Sequence, residues 1–145
     1  MRQDLIHVYT GNGKGKTTAA LGLLLRASGR GMRTVLVQLL KGRDTGELYA
    51  IENLCGITVL RSTRKIGFYA FASEQGKTEI TCQNNAILTE AYHLVSEGLY
   101  DLMVMDEICA AYNNGALDKA LADQLILNKP CGLELVLTGC DAPLL

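Results

Sequence analysis

Leu5-Ile6-His7-Val8-Tyr9-Thr10-Gly11-Asn12-Gly13-Lys14-Gly15-Lys16-Thr17-Thr18 decides how this chain is read. An apolar segment runs into a turn of glycines and lysines and then into a helix-compatible stretch. Such a turn lets backbone N–H groups converge on phosphate oxygens, and the helix behind it presents its positive end. Lys16 is placed to reach a phosphate, and Thr17 to offer its hydroxyl to Mg²⁺. The pattern G-x-x-x-x-G-K-[ST] is met except at its first position, which is Thr10. Gly11, Asn12, Gly13, Lys14, Gly15, Lys16, Thr17 and Thr18 therefore form a candidate cradle for a nucleoside triphosphate. A solvated glycine turn is the competing reading, but it does not explain two lysines and two threonines crowded into one turn.

The rest of the chain alternates apolar strands with helices. Strands are expected over residues 5–10, 33–39, 57–60, 102–106 and 133–138. Helices are expected over 16–28, 47–53, 78–97 and 117–127. Leu21, Leu24 and Leu25 should form the buried stripe of the first helix. Ile80, Ile87, Leu88, Ala91, Leu94 and Val95 should form that of the longest. Continuous apolar strands separated by helices imply an α/β fold, with a mainly parallel sheet covered on both faces. Ligands of such sheets sit at the carboxyl ends of the strands. The strand Leu102-Met103-Val104-Met105-Asp106 ends there in an acid, followed by Glu107. Beside a phosphate loop, Asp106 is the candidate for the metal side. Glu107 is a candidate for binding metal, orienting a nucleophile or acting as a base. Alone, the pair would read as two solvated acids at a turn.

The 145 residues fit one domain, with 48% hydrophobic residues and a net charge of −1. No basic excess points to nucleic acid, and no apolar run is long enough for a membrane span or reads as a leader. Five scattered cysteines without C-x-x-C read as reduced, mostly packing residues of a cytoplasmic protein, a metal or disulfide role for Cys131 and Cys140 being the lesser alternative. Asn128-Lys129-Pro130-Cys131 reads as a loop rather than a guanine-reading motif. His7 reads as a packed or edge histidine and His93 as structural or exposed. Residues 61–77 are the least regular. Their cluster Phe68, Tyr69 and Phe71 either packs under its own loop or covers a flat apolar ligand.

Four blocks, in order, resemble the P-loop type of ATP:corrinoid adenosyltransferase. They are Val8 through Gly22, Val37-Gln38-Leu39-Leu40-Lys41-Gly42, Met105-Asp106-Glu107-Ile108 with Leu117-Asp118, and Val136-Leu137-Thr138-Gly139 with Ala142-Pro143. Thr10 at the start of the loop is that family's own form. The resemblance implies a P-loop NTPase-like (RecA-like) fold in one domain, 1–145, without the family's usual C-terminal strand and tail. It implies transfer of the 5′-deoxyadenosyl group of ATP to Co(I) of a reduced corrinoid, with release of triphosphate. It also implies Lys14 and Lys16 on the triphosphate, and Mg²⁺ on Thr17 with Asp106 or Glu107. Lys41 would lie near nucleotide or corrinoid, and Phe68 with Tyr69 at the corrinoid. A homodimer and a flavoprotein electron donor are the partners it implies. The family's aromatic segment G-F-T-W reads Gly67-Phe68-Tyr69-Ala70 here, the chain has no Trp, and Cys140 stands where an arginine is usual. A P-loop ATPase or switch, and a binding module without turnover, are the alternative readings.

Overall fold

The computed structural model describes residues 4–41, 43–62 and 68–143. Five parallel strands, β1 (Ile6–Thr10), β2 (Thr34–Gln38), β3 (Ile57–Arg61), β4 (Leu102–Asp106) and β5 (Glu134–Gly139), form one sheet in the order β1-β5-β4-β2-β3. The helices are α1 (Lys16–Gly29), α2 (Gly46–Ile51), α3 (Glu74–Ser96), α4 (Ile108–Asn113) and α5 (Lys119–Leu127). A single 3-10 turn, Tyr69–Phe71, precedes α3. The expected α/β fold is present, and it is consistent with a P-loop NTPase-like architecture. None of the helices is long and apolar enough to cross a membrane among the described residues.

β2 and β4 are buried along their whole length, which is why they read as unbroken apolar runs rather than alternating ones. Their period-2 geometry still sorts residues between two cores. Leu36, Leu102, Val104 and Val136 pack with Ala20, Leu24 and Ala27 of α1 and Ile51 of α2. Val35, Val37, Met103, Met105, Leu135 and Leu137 pack with α3, α4 and α5 on the other face. By the same alternation Gln38, Asp106 and Thr138 fall on the α1 face, one step beyond the last apolar residue of their strands. In register, Gln38 pairs with both Asp106 and Arg61. The sheet thus brings the polar ends of its strands to the end of α1 that carries the glycine turn.

The structure corrects several expectations. Leu25 is 55% exposed, because the stripe of α1 is Ala20, Leu24 and Ala27. The longest helix starts at Glu74, one turn before the expected start, since Ser73 Oγ accepts the Gly76 N–H. α4 has no expected counterpart: its six residues are too few for periodicity to show. α5 starts at Lys119, because Asp118 accepts the N–H groups of Ala120 and Leu121. Only Cys109 is a packing cysteine; Cys55, Cys82 and Cys131 are exposed, Cys140 is half-buried, and all five are free. His93 is exposed, and His7 on β1 lies 2.5 Å from Glu134 Oε1. Asn84, polar and fully buried in α3, donates to Ala116 O at 2.7 Å and so pins the connection between α4 and α5.

Gly139 ends β5 against α4. A Cβ there would lie 2.7 Å from Cys109 Cβ and 2.8 Å from the Ala110 nitrogen, and its φ is 146°, where L side chains rarely sit. Gly139→Ala should therefore destabilise the protein by about 2 kcal/mol or more, from overpacking against backbone combined with strain. Urea unfolding of the variant against the parent chain measures it.

Candidate functional site

The phosphate-loop candidate is built as its sequence implies. β1 delivers the chain to a turn in which Gly11, Gly13, Lys14 and Gly15 all have positive φ. Successive residues of this kind turn their N–H groups toward a common point. α1 then starts with no side-chain cap and no acid in its first turn. Lys16 and two threonines occupy the positive end of the helix dipole instead. That is an unfavourable place for a cation unless an anion joins it. The Lys16 ammonium lies back over the loop, bonded to Gly11 O and Gly13 O at 2.5 and 3.3 Å.

Asp106 is the centre of the constellation. It is 1% exposed, and four donors surround it. Thr17 Oγ1 and Thr138 Oγ1 donate to Oδ1 at 2.9 and 2.7 Å. Lys41 Nζ and Gln38 Nε2 donate to Oδ2 at 2.5 and 3.5 Å. These contacts use the acceptor capacity of a carboxylate. Gln38 also donates to Glu47 Oε1, and Arg61 donates to Gln38 Oε1, both at 3.2 Å. Glu47 titrates below its ordinary value: burial pushes it up, but its own backbone N–H, the bond from Gln38, the nearby Thr45 hydroxyl and the Lys41 charge together outweigh that.

Glu107 stands beside this cluster in the left-handed conformation, φ 64°, at the start of α4. Its N–H donates to Thr138 Oγ1 at 3.0 Å, so one threonine hydroxyl fixes both acids. Burial raises the Glu107 carboxyl above its ordinary value, and the Asp106 charge adds to this; Lys41 and Lys16 pull the other way. Thr17 and Asp106 are hard oxygen donors joined by one hydrogen bond. This set suits Mg²⁺, which takes one or two carboxylates plus substrate phosphates rather than an all-protein cage. Among the described residues no cluster of three or more His, Cys, Asp or Glu offers such a cage.

Thr17, Asp106, Lys41 and Glu107 are thus gathered at one end of α1. Asn12, Lys14 and Thr18 are exposed on or beside the loop. The aromatic segment reaches the site indirectly. The Arg43 guanidinium lies 5.2 Å from the Phe68 ring, in the turn that carries Lys41. Phe68 and Phe71 meet edge to face at 6.3 Å and are 67% and 88% exposed, so these two do not pack under their own loop. Tyr69 alone is half-buried against the core. Gly42 and Gly67 lie outside the described residues. A cavity of about 460 Å³ opens nearby between Arg61, Ser62 and the Thr78, Cys82 and Gln83 side chains of α3. Sequence reasoning missed Gln38, Arg61, Glu47 and Thr138 as site residues. The available signal was that strands which are otherwise apolar end in Gln38, Asp106 and Thr138.

A glycine turn feeding an uncapped helix, bonded through its threonine to the terminal carboxylate of a buried strand, defines a P-loop α/β protein. Within that class, the chain belongs to the ATP:corrinoid adenosyltransferase BtuR/CobO/CobP family, whose model matches residues 2–144. It is 35% identical to the uncharacterized protein all2391 of Nostoc, over 95% of this chain but 39% of that protein. It is 30% identical to a corrinoid adenosyltransferase of Pseudomonas aeruginosa, over 97% of this chain and 68% of the relative. It is also 30% identical to the corrinoid adenosyltransferase CobA of Salmonella typhimurium, over 94% and 68%. The chain therefore spans about two-fifths of the Nostoc protein and about two-thirds of the named transferases.

The raised Glu107 carboxyl has a thermodynamic consequence. Between its ordinary value of 4.5 and its higher folded value, the folded chain binds more protons than the unfolded one. Stability therefore falls as pH rises through that window. Glu107→Gln removes the titration, so the variant should gain on the parent between pH 4 and pH 7. Denaturant unfolding at both pH values, taken as a difference between the two proteins, checks the sign.

Proposed function

We propose that this chain transfers the 5′-deoxyadenosyl group of ATP to the cobalt of a reduced corrinoid. Co(I) supplies the electron pair that forms the Co–C5′ bond. The C5′–O bond breaks, and its pair leaves with triphosphate. The substrate is its own nucleophile, so the protein has to hold C5′ in line and stabilise charge on the leaving group. The observation that carries this reading is the bond between Thr17 of the glycine loop and the buried Asp106, in a chain of this family.

Each residue has a defined task under this reading. The N–H groups of residues 11–17, with Lys14 and Lys16, take the triphosphate. Thr17 and Asp106, with Glu107 beside them, would hold Mg²⁺, which would neutralise charge on the leaving group when bound. Thr138 and Gln38 fix the Asp106 carboxylate by hydrogen bonds to its two oxygens. Phe68 and Tyr69 offer an apolar face to the corrinoid, and the exposure of Phe68 leaves that face accessible. A reductant must deliver Co(I), and a flavoprotein is the proposed donor class.

Product analysis tests the reaction. With ATP, Mg²⁺ and a chemically reduced corrinoid, the expected products are adenosylated corrinoid and triphosphate; ADP with phosphate would replace this reading with an ATPase. Lys16→Ala should cost more than tenfold in ATP affinity without unfolding the chain, as its ammonium bonds only exposed loop carbonyls. A change below about threefold, roughly 0.7 kcal/mol, would remove Lys16 from the site.

The aromatic segment is tested separately. An axial donor makes cobalt reduction harder, so an apolar surface that excludes it should matter most when the corrinoid enters as Co(II). Phe68→Ala should slow adenosylation strongly from Co(II) and much less from preformed Co(I). Equal losses in the two assays would assign Phe68 to binding or folding alone.

A further inference from the structure

The Lys41 ammonium lies between Asp106 Oδ2 at 2.5 Å and Thr17 Oγ1 at 3.4 Å, with Glu47 Oε1 at 3.9 Å. These are the hard oxygens that a divalent cation beside a nucleotide would use. We propose that Lys41 is a tethered cation that holds the divalent-ion niche and must leave it before metal can enter with ATP. The inference rests on the assignment of Thr17 and Asp106 to Mg²⁺ made above.

The placement of Lys41 is built rather than incidental. β2 ends at Gln38, and Leu40 turns the chain with φ 59°, a left-handed conformation that a leucine rarely adopts. That reversal directs Lys41 back onto the strand ends. Arg61 then fastens the turn. Its Nη2 donates to Lys41 O at 3.2 Å and Arg43 O at 2.5 Å, while its Nη1 holds Gln38 Oε1. The Lys41 side chain is only 22% exposed, so its charge is screened less than that of a surface lysine.

Occupancy is exclusive for two reasons. Both oxygens of Asp106 already accept two hydrogen bonds, so a metal there must displace a donor. Lys41 is the one donor of the four that carries charge, and two cations a few ångströms apart in a half-buried site repel strongly. ATP resolves the conflict. Its polyphosphate on residues 11–17 offers Lys41 new anionic partners as the metal arrives. Metal and nucleotide binding are thereby coupled, and metal binding without nucleotide is weak.

Mn²⁺ titration by electron paramagnetic resonance, without nucleotide, tests this directly. Lys41→Met should bind Mn²⁺ at least tenfold more tightly than the parent chain. Lys41→Gln, which keeps a polar group against Asp106, should show the same direction if the Met variant folds poorly. Lys41→Arg should remain weak. Arg43→Met removes a charge from the turn that carries Lys41 but not from Asp106, and should change Mn²⁺ affinity by less than threefold. Adding Asp106→Asn to Lys41→Met should abolish the gain. An unchanged affinity in folded Lys41→Met or Lys41→Gln overturns the proposal, as does an equal gain from Arg43→Met, which would reflect charge removal alone. The titration needs no corrinoid. A failed adenosyl-transfer assay therefore leaves this result standing, and a failed titration leaves the transfer reaction to its own product analysis.

Discussion

A carboxylate buried inside a parallel sheet must be surrounded by donors, and at Asp106 that requirement organises the molecule. An unpaired buried charge costs several kcal/mol, more than a small domain can spare. Here the donors come from the loop-to-helix junction (Thr17), the end of β2 (Gln38), the turn after it (Lys41) and the end of β5 (Thr138). Four separate segments are therefore held in register by one side chain. Loss of the carboxylate would release contacts of β2, β5 and α1 together, which makes the candidate site a structural centre of the fold.

Strain gathers around the same point. The non-glycine residues with positive φ among those described are Lys14, Leu40, Glu107 and Asp141. Lys14 lies in the phosphate loop, Leu40 precedes Lys41, and Glu107 follows Asp106. Asp141 adjoins Ala142, whose N–H donates to Thr10 Oγ1 at 3.1 Å. Each of these conformations costs on the order of 1 kcal/mol or more and persists only where surrounding contacts impose it. The surroundings here are rigid: α1 closes one face of the sheet and α3, α4 and α5 the other. A core buried on both faces thus supports a set of turns that would relax elsewhere.

Gly139 shows how closely stability and geometry are tied. Its lack of a side chain lets α4 approach β5 to within contact of Cys109 and Ala110. That approach sets Glu107, at the head of α4, over Thr138, and the threonine hydroxyl then bridges the two acids. The geometry of the candidate site and the packing of α4 on β5 are consequently not separable at this corner of the fold.

The amino-acid sequence by itself determined the α/β class, the phosphate loop and the acid at the end of the fourth strand. Each of these is local: a run of β-branched and apolar residues, a glycine turn, a helix of correct period. The limits of the long helices were legible to within a turn, and their capping residues Ser73 and Asp118 account for the shifts. Only the tertiary structure decided the rest. α4 has too few residues to carry a period. Leu25 is apolar yet exposed, and Asn84 is polar yet buried, because burial depends on what faces a helix and not on its own residues. Gln38, Arg61, Glu47 and Lys41 join Asp106 through strand order and register, which pair β2 with both β3 and β4. Those contacts span 65 and 68 residues of chain between Asp106 and its partners Lys41 and Gln38. No local pattern encodes a separation of that kind; the twofold alternation of side chains along paired strands does, once the pairing exists.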